Sequence, residues 1–369
     1  MHKQFSWIFL LSFLLFLLSG CGGTSSMDSS KNTPITPSDE TYDIALITDG
    51  AGITDGSFFQ AAWDGITAYS AEYGVSSQHY DPNMETEDAY LEAISQATAN
   101  GAKLIICPGI QQSDAVYQAQ NRYPDVCFVT IDYVPTSTET QESLANGNTY
   151  SILFAEEESG FLAGYSAVRD GYTKLGFLGG KAYPAVVRYG TGFLQGIDTA
   201  AQEMGIDVEV MYHYSGVFEG NEDVQALAHS WYSQGTEVIF SCGGSIYTSV
   251  CTAAEAASTA VIGVDTDQSA YSDTIITSAT KDVASAVYQA IELYYNGTFP
   301  GGTTAIKTAK EDMTGLAMEN SRFLTFDQLQ YEEALQKLLD GTYTVLKYED
   351  GTVDLATIVS KAVKITYVN

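Results

Sequence analysis

Apolar runs along the chain alternate between strand-like and helix-like periodicity in two successive series, and this alternation restricts the fold most strongly. The first series has strand patterns at 44–48, 77–80, 103–107 and 126–131, separated by helical patterns at 58–73, 88–99 and 113–122. The second has strand patterns at 174–178, 208–212, 238–241 and 260–264, separated by helical patterns at 187–204, 222–234 and 247–257. Strands that alternate with helices are typical of mostly parallel sheets. The two series therefore predict an α/β protein with two Rossmann-like lobes.

The segments around these series determine the predicted domain organisation. Residues 149–169 are predicted to cross between the lobes as a short strand followed by a helix. The strand pattern at 275–278 is expected to return to the first lobe. The predicted parts are a signal peptide (1–21), a flexible tether (22–41), a first lobe (42–150 and about 270–322) and a second lobe (151–269 and part of 323–369).

The N-terminus has the features of a bacterial lipoprotein signal. An apolar run from Phe5 to Leu18 is shorter than the roughly 20 residues that a membrane-spanning helix needs. It ends in Leu18-Ser19-Gly20-Cys21, which resembles the lipobox and implies cleavage before Cys21 and lipidation of its thiol. An uncleaved signal anchor is the alternative. Residues 22–41, rich in Ser, Thr, Asp and Pro, then form a flexible tether at the outer face of the cell membrane.

Composition excludes several classes of partner. A net charge of −30 disfavours nucleic acid, which is itself a polyanion, and offers no basic patch for anionic lipid head groups. A hydrophobic content of 45% and a charged content of 17% are typical of a globular protein. We therefore expect a small-molecule ligand and no nucleic acid.

Motifs of the common enzyme classes are missing. The four histidines (His2, His79, His213 and His229) have no metal-ligand spacing, and the glycines at 176–182 and 190–196 fit neither a P-loop nor a dinucleotide fingerprint. Beyond Cys21, the cysteines lie mostly in apolar runs and are predicted to be structural thiols, with a Cys107–Cys127 bridge as the alternative. Asp132 and Asp265 would be the carboxylates of a glycosidase pair. We expect no catalysis, cofactor or metal.

Carboxylates and glycines follow the predicted strands. Asp49, Asp132 and Asp265 come directly after three of them, and Gly243 follows another. Ligands of open α/β sheets bind beyond the carboxyl ends of the strands. Carboxylates accept hydrogen bonds from hydroxyl and N–H groups, and glycines let the backbone approach closely. This set predicts a cleft for a neutral, hydroxyl-rich ligand. Alternatively, each aspartate caps the helix that follows it.

Aromatic residues complete the candidate site. Phe58 and Phe59 begin the first helix, which Ser57 is positioned to cap, and Phe218 lies in a glycine-bearing loop of the second series. One ring from each lobe would sandwich a flat heterocycle, and stacking contributes roughly 1–3 kcal/mol per base. The alternative for Phe58 is a place in the core. Lys281 either is solvated or donates to sugar oxygens alongside Asp265.

Three ordered motifs, at 44–66, 174–196 and 263–268, resemble the basic membrane protein family of bacterial lipoproteins. The resemblance covers nearly the whole mature chain. Members of this family are substrate-binding components of ABC importers, and several bind purine nucleosides. The resemblance implies a type I periplasmic-binding-protein fold, in which two hinged lobes enclose a nucleoside.

The resemblance also implies roles for individual residues. Asp49 would contact the base, Phe58 and Phe218 would stack on it, and the ribose would be held by Asp132, Gly243, Asp265 and Lys281. Ser57, Phe59 and Gln60 are also predicted to contact the ligand. One position departs from the family. The usual Ser-Phe-Asn-Gln reads Ser57-Phe58-Phe59-Gln60 here, which removes an amide that could recognise the base edge. We therefore expect an altered base preference or a ligand other than a standard purine nucleoside.

These observations predict a lipid-anchored, monomeric solute-binding protein that delivers a nucleoside, by lobe closure, to an ABC permease and its ATPase. Two other functions remain open. A sensory lipoprotein on the same fold would signal the presence of the ligand to a partner, and a nucleoside hydrolase would release the free base.

Overall fold

The computed structural model describes residues 41–50 and 52–368. The predicted signal peptide, the lipidation site at Cys21 and all but the last residue of the tether lie outside these residues. The strands are β1 (Ile44–Ile47), β2 (Ser77–Tyr80), β3 (Leu104–Pro108), β4 (Cys127–Ile131), β5 (Thr149–Phe154), β6 (Lys174–Gly179), β7 (Val208–Tyr214), β8 (Val238–Cys242), β9 (Ala260–Asp265), β10 (Ile275–Lys281), β11 (Thr303–Lys307), β12 (Thr314–Leu316) and β13 (Val363–Tyr367). The helices are α1 (Phe58–Tyr73), α2 (Glu87–Ala99), α3 (Ser113–Arg122), α4 (Glu156–Arg169), α5 (Pro184–Met204), α6 (Glu222–Ser233), α7 (Tyr247–Ala257), α8 (Val283–Tyr295) and α9 (Gln328–Leu339).

The first lobe is built on a parallel sheet with the strand order β11-β5-β4-β3-β1-β2. Its inner strands β1, β3, β4 and β5 are buried on both faces, whereas the edge strands β2 and β11 are partly exposed. In β1, Ile44 and Leu46 pack with α1 and α8, whereas Ala45 and Ile47 pack with α2 and α3. A strand covered by helices on both faces is apolar at successive positions, which explains the continuous run in the sequence.

The second lobe repeats this architecture with the strand order β12-β10-β9-β8-β6-β7-β13. Its strands are parallel except β12, which pairs antiparallel with β10. Helices α4 and α5 contribute to the core on one face, and α6 and α7 to the core on the other. The two predicted α/β lobes are therefore present.

The predicted lobe boundaries need correction. The assignment of about 270–322 to the first lobe is wrong for β10 and β12, which pair in the second sheet, and right for α8 and β11. The start of the second lobe at 151 is also wrong, because β5 belongs to the first sheet. An apolar pattern identifies a strand but does not identify its pairing partner. The chain crosses between the lobes after β5, after β10 and after β11.

Glycines allow helices α4 and α5 to pack with their backbones in close contact. A Cβ atom added at Gly160 or Gly164 of α4 would lie 2.2 or 2.1 Å from a carbonyl oxygen of α5. One added at Gly192 or Gly196 of α5 would lie 2.2 or 1.9 Å from a carbonyl oxygen of α4. Part of the glycine pattern at 190–196 therefore serves helix packing.

The cysteines beyond Cys21 are all free. Cys107, Cys242 and Cys251 are buried and Cys127 is half-buried, so the Cys107–Cys127 bridge is not formed. Burial raises the pKa of the Cys107 thiol. In the part of the chain that the structure describes, no helix is both long and apolar enough to cross a membrane.

Gly196→Ala is expected to destabilise the protein by about 2 kcal/mol or more, because a methyl group at this position must push the two helices apart. Denaturant unfolding of the purified protein measures the effect. Gly147→Ala is the matched control, since no atom lies within 4 Å of its added Cβ. Equal unfolding midpoints for the two variants would contradict this packing.

Candidate ligand-binding site

The carboxyl ends of the two sheets face a common cleft between the lobes. About 770 Å³ of space, open mouth included, is free of protein atoms there. The predicted residues that line the cleft are Asp49, Phe58, Phe59, Asp132, Phe218, Gly243, Asp265 and Lys281. Ser57 and Gln60 are not among the lining residues. A concave site lined from both lobes is typical of small-molecule binding.

The ring of Phe218, in the second lobe, packs against the backbone of two glycines, Gly180 and Gly243. A Cβ atom at Gly180 would lie 2.4 Å from the Phe218 ring, and one at Gly243 would lie 2.8 Å from it. Phe218 fits in this position because Gly243 has no side chain. Tyr183 lies beside this ring, with their centroids 5.6 Å apart. The glycines at the strand ends therefore determine where the ring sits.

The aromatic residues of the first lobe begin α1. The rings of Phe58 and Phe59 meet edge to face with centroids 5.4 Å apart. Phe58 both lines the cleft and packs against the first-lobe core, so its two predicted roles coexist. Phe59 is 5% exposed. Its side chain makes this part of the cleft wall apolar.

The prediction that Ser57 caps α1 is wrong. Its side chain makes no capping hydrogen bond. Asp55 accepts hydrogen bonds from the backbone N–H groups of Ser57, Phe59 and Gln60, at 3.1, 3.1 and 2.9 Å. The Ser57 hydroxyl instead donates to Asp265 Oδ2 of the other lobe at 2.5 Å. The Asp55 carboxylate has enough lone pairs to accept from three N–H groups. Because Asp55 caps the helix, the Ser57 hydroxyl can bond to the other lobe.

The loop before α1 joins the two lobes. Gln60 Oε1 accepts from the Gly56 N–H at 3.1 Å, so this side chain closes the loop. The Gly56 carbonyl accepts from Gln268 Nε2 at 3.0 Å and from Thr266 Oγ1 at 3.3 Å, both in the second lobe. The first and third sequence motifs thus meet across the cleft, and the lobes are closed around it.

Lys281 is buried, so the alternative of a solvated lysine is wrong. It is 3% exposed and forms an ion pair with Asp132 Oδ2. Its Nζ lies 3.3 Å from Glu156 Oε1 and 3.8 Å from Asp265 Oδ1. Burial alone lowers the pKa of Lys281, but the surrounding carboxylates outweigh it and hold the pKa above its ordinary value.

The carboxylates at the ends of β4 and β9 are largely buried, line the cleft and do not cap helices. Asp132 and Asp265 have φ angles of 72° and 66°, a left-handed conformation that aspartate tolerates better than most residues. Asp132 Oδ1 is buried and accepts no hydrogen bond from the described residues. Burial raises the pKa of Asp132 to about 7 against the opposing effect of Lys281. An incoming hydroxyl group would satisfy this oxygen.

Sequence reasoning missed several residues of the cleft, including Asp55, Gln111, Tyr183 and Tyr189. Gln111 donates from Nε2 to Asp49 Oδ2 at 3.3 Å. It follows Pro108-Gly109 at the carboxyl end of β3, a position that could have marked it. Within the described residues, no group of three or more His, Cys, Asp or Glu side chains could hold a metal ion.

Comparison with known families identifies the chain. The model of the Bmp family, described as ABC transporter substrate-binding protein PnrA-like, matches residues 42–345. The chain belongs to the Bmp family. The resemblance of the three motifs is thereby confirmed, as is the expectation that the chain is no enzyme, because the family consists of substrate-binding proteins.

Individual relatives agree with this assignment. The Bmp protein is similar to the ABC transporter nucleoside-binding protein BmpA of Lactococcus lactis, with 27% identity over 89% of this chain and 94% of the relative. It is also similar to an uncharacterized lipoprotein of Pyrococcus abyssi, with 25% identity over 78% of this chain and 70% of the relative. As an ABC substrate-binding protein, it takes a small-molecule ligand and works with a permease and an ATPase.

A solved structure confirms the predicted fold. An ABC transporter solute-binding protein from Aeropyrum pernix superposes with a TM-score of 0.73 and 24% identity, over 84% of this chain and 94% of that chain. The Bmp protein therefore has the two-lobed α/β fold of periplasmic binding proteins.

Asp55→Ala is expected to destabilise the Bmp protein by about 2 kcal/mol, because three backbone N–H groups at the start of α1 lose their acceptor. Urea unfolding measures the loss. Asp64→Ala, at an exposed position of the same helix, is the matched control. If the two variants unfold at the same urea concentration, Asp55 does not cap the helix.

Proposed function

We propose that this Bmp protein binds a nucleoside, with a purine as the base, between its closed lobes and delivers it to the permease of an ABC importer. The observation that carries the proposal is the composition of the cleft. It has aromatic rings from both lobes and a buried cluster of one lysine with three carboxylates. A nucleoside combines a flat base with a neutral, hydroxyl-bearing sugar, which matches these two groups of residues.

The aromatic half of the cleft suits the base. Phe58 and Phe218 supply the two rings, one from each lobe, and each stacked ring contributes roughly 1–3 kcal/mol. At the same wall, the Asp49 carboxylate accepts from N–H groups, and the Gln111 amide both donates and accepts. A purine edge offers both kinds of partner. Phe59 replaces the family asparagine with an apolar ring, so hydrogen bonding to the base relies on Asp49 and Gln111.

The charged half suits the sugar. Asp132 and Asp265 accept hydrogen bonds from hydroxyl groups, and Lys281 donates to sugar oxygens. Hydrogen bonds to charged groups contribute about 1.5–3 kcal/mol each. Two of the three carboxylates around Lys281 also line the cleft, as does Asp49. The excess of negative charge disfavours phosphate and therefore favours nucleosides over nucleotides.

Two further observations support the proposal. The relative from Lactococcus lactis is named a nucleoside-binding protein. The sequence Leu18-Ser19-Gly20-Cys21 resembles a lipobox, and the Pyrococcus abyssi relative is named a lipoprotein. We therefore propose that a lipid on Cys21 anchors the protein to the outer face of the membrane. Mass spectrometry of the protein from its native membrane tests this anchor, and an unmodified Cys21 would contradict it.

Phe218→Ala is expected to weaken nucleoside binding at least tenfold with the fold intact, because one face of the base loses its stacking partner. Thermal-shift screening of nucleosides, nucleotides, free bases and sugars first identifies the ligand, and isothermal titration calorimetry then measures the affinity. Tyr73→Ala, which removes an aromatic side chain that is 54% exposed and lies outside the cleft, is the control. Unchanged affinity of Phe218→Ala would remove Phe218 from the binding site.

A further inference from the structure

Arg188 of helix α5 is buried directly behind the ligand cleft. Its side chain is 1% exposed, and it is not among the residues that line the cleft. Its Nε lies 2.6 Å from Glu156 Oε2, and its Nη1 lies 2.7 Å from Glu349 Oε1. Burying a guanidinium is unfavourable unless paired charges compensate for the lost hydration. Glu156 and Glu349 compensate for the lost hydration of Arg188, so the guanidinium joins a buried carboxylate to one at the surface.

Glu156 connects this arginine to the cleft. It is fully buried, and its two oxygens contact different cations: Oε1 lies 3.3 Å from Lys281 Nζ, and Oε2 lies 2.6 Å from Arg188 Nε. Lys281 in turn contacts Asp132 and Asp265. Alternating charges thus extend from the cleft through Lys281, Glu156 and Arg188 to Glu349, whose side chain is 52% exposed.

The balance of charge in this cluster depends on Arg188. Two buried cations, Lys281 and Arg188, face four buried carboxylates, those of Asp132, Glu156, Glu157 and Asp265. Without the arginine, one cation would face all four. An interior of low dielectric disfavours such an excess of negative charge, so a carboxylate would take up a proton.

Arg188 lowers the pKa of Glu156, the carboxylate that it contacts directly, and more weakly that of Asp132, which lines the cleft. Burial raises the pKa of Asp132 to about 7, Lys281 and Arg188 lower it, and Glu156 raises it. The other titratable groups around the cluster are Asp55, Cys242, Glu157, Glu349, Lys347 and Tyr189, whose hydroxyl lies 3.5 Å from Asp265 Oδ1. Burial raises the pKa of Glu157 to about 7 as well.

We propose that Arg188 is a positioning residue for ligand binding, whose permanent charge, acting through Glu156, keeps Lys281 in place and keeps Asp132 able to accept hydrogen bonds from the ligand. Arginine suits this role because it does not lose its proton in proteins. Ionised carboxylates accept hydroxyl hydrogen bonds more strongly than protonated ones. The inference rests on the proposed function, in which these carboxylates bind the sugar.

The test is the pH dependence of affinity for inosine and adenosine, measured by calorimetry between pH 6 and 9. Ligand hydroxyl groups bind the ionised carboxylate of Asp132. The affinity of the wild-type protein therefore increases as the pH is raised through the pKa of Asp132, and it is constant at higher pH. In Arg188→Met this rise moves to higher pH. Binding is then at least tenfold weaker at pH 7 and within threefold of wild type at pH 9. Arg188→Lys restores the wild-type profile.

The 2′,3′-dideoxy forms of both nucleosides are the matched ligand control. They lack the 2′- and 3′-hydroxyl groups that donate hydrogen bonds to the carboxylates, so Arg188→Met should change their affinity less than threefold at every pH. A loss of affinity that is independent of pH, or equal for the dideoxy ligands, would overturn the inference and indicate a structural role.

Glu349→Gln is expected to shift the pH profile of affinity in the direction opposite to Arg188→Met. Because Glu349 is half-exposed, this variant tests the inference even if Arg188→Met does not fold. Removing this negative charge should move the rise in affinity to lower pH and leave binding at pH 8 unchanged. A shift to higher pH would contradict the electrostatic account. If the wild-type protein binds no nucleoside at all, the proposed function fails; if it binds but the variants do not shift the profile, only this inference fails.

Discussion

The buried ammonium group of Lys281 pairs with three carboxylates, and these ion pairs hold the ligand site together. Lys281 ends strand β10, where the chain crosses from the second lobe to the first. Its partners come from different parts of the fold: Asp132 follows a strand of the first sheet, Asp265 ends a strand of the second, and Glu156 begins helix α4. Buried charges are tolerated only when they are well paired, so this cluster links the position of both sheets to the geometry of the cleft.

The start of helix α4 also connects the segments in which the chain crosses between the two lobes. Glu158 Oε2 accepts from the Ala309 N–H at 2.7 Å and from Thr314 Oγ1 at 2.8 Å. Ser159 Oγ donates to the Thr280 carbonyl at 2.7 Å and accepts from the Gly315 N–H at 2.9 Å. Helix α4 is locked in turn against α5 through glycines, and α5 carries Arg188. The helix packing, the crossovers and the ligand site therefore form one connected structure.

The features that the sequence could predict are those that depend on local pattern. Asp132 and Asp265 could be identified because an apolar run ends just before each of them, and parallel strands bring their carboxyl ends to one edge. The sheet that β10 joins could not be predicted, because pairing depends on distant residues. Ser57 was a reasonable cap from its position, but only the fold brings Asp265 within reach of its hydroxyl group. Arg188 lies in a helical pattern that carries no sign of the charges around it.

Carboxylates suit a neutral ligand even in a strongly acidic protein, because they accept hydrogen bonds from its hydroxyl groups. A crystal structure of the protein with a purine nucleoside would show which side chains contact the base and which contact the sugar. We expect the base between Phe58 and Phe218, and ribose hydroxyl groups within hydrogen-bonding distance of Asp132, Asp265 and Lys281. A nucleoside bound elsewhere, or a base that faces the lysine while the sugar points away from these carboxylates, would contradict the account.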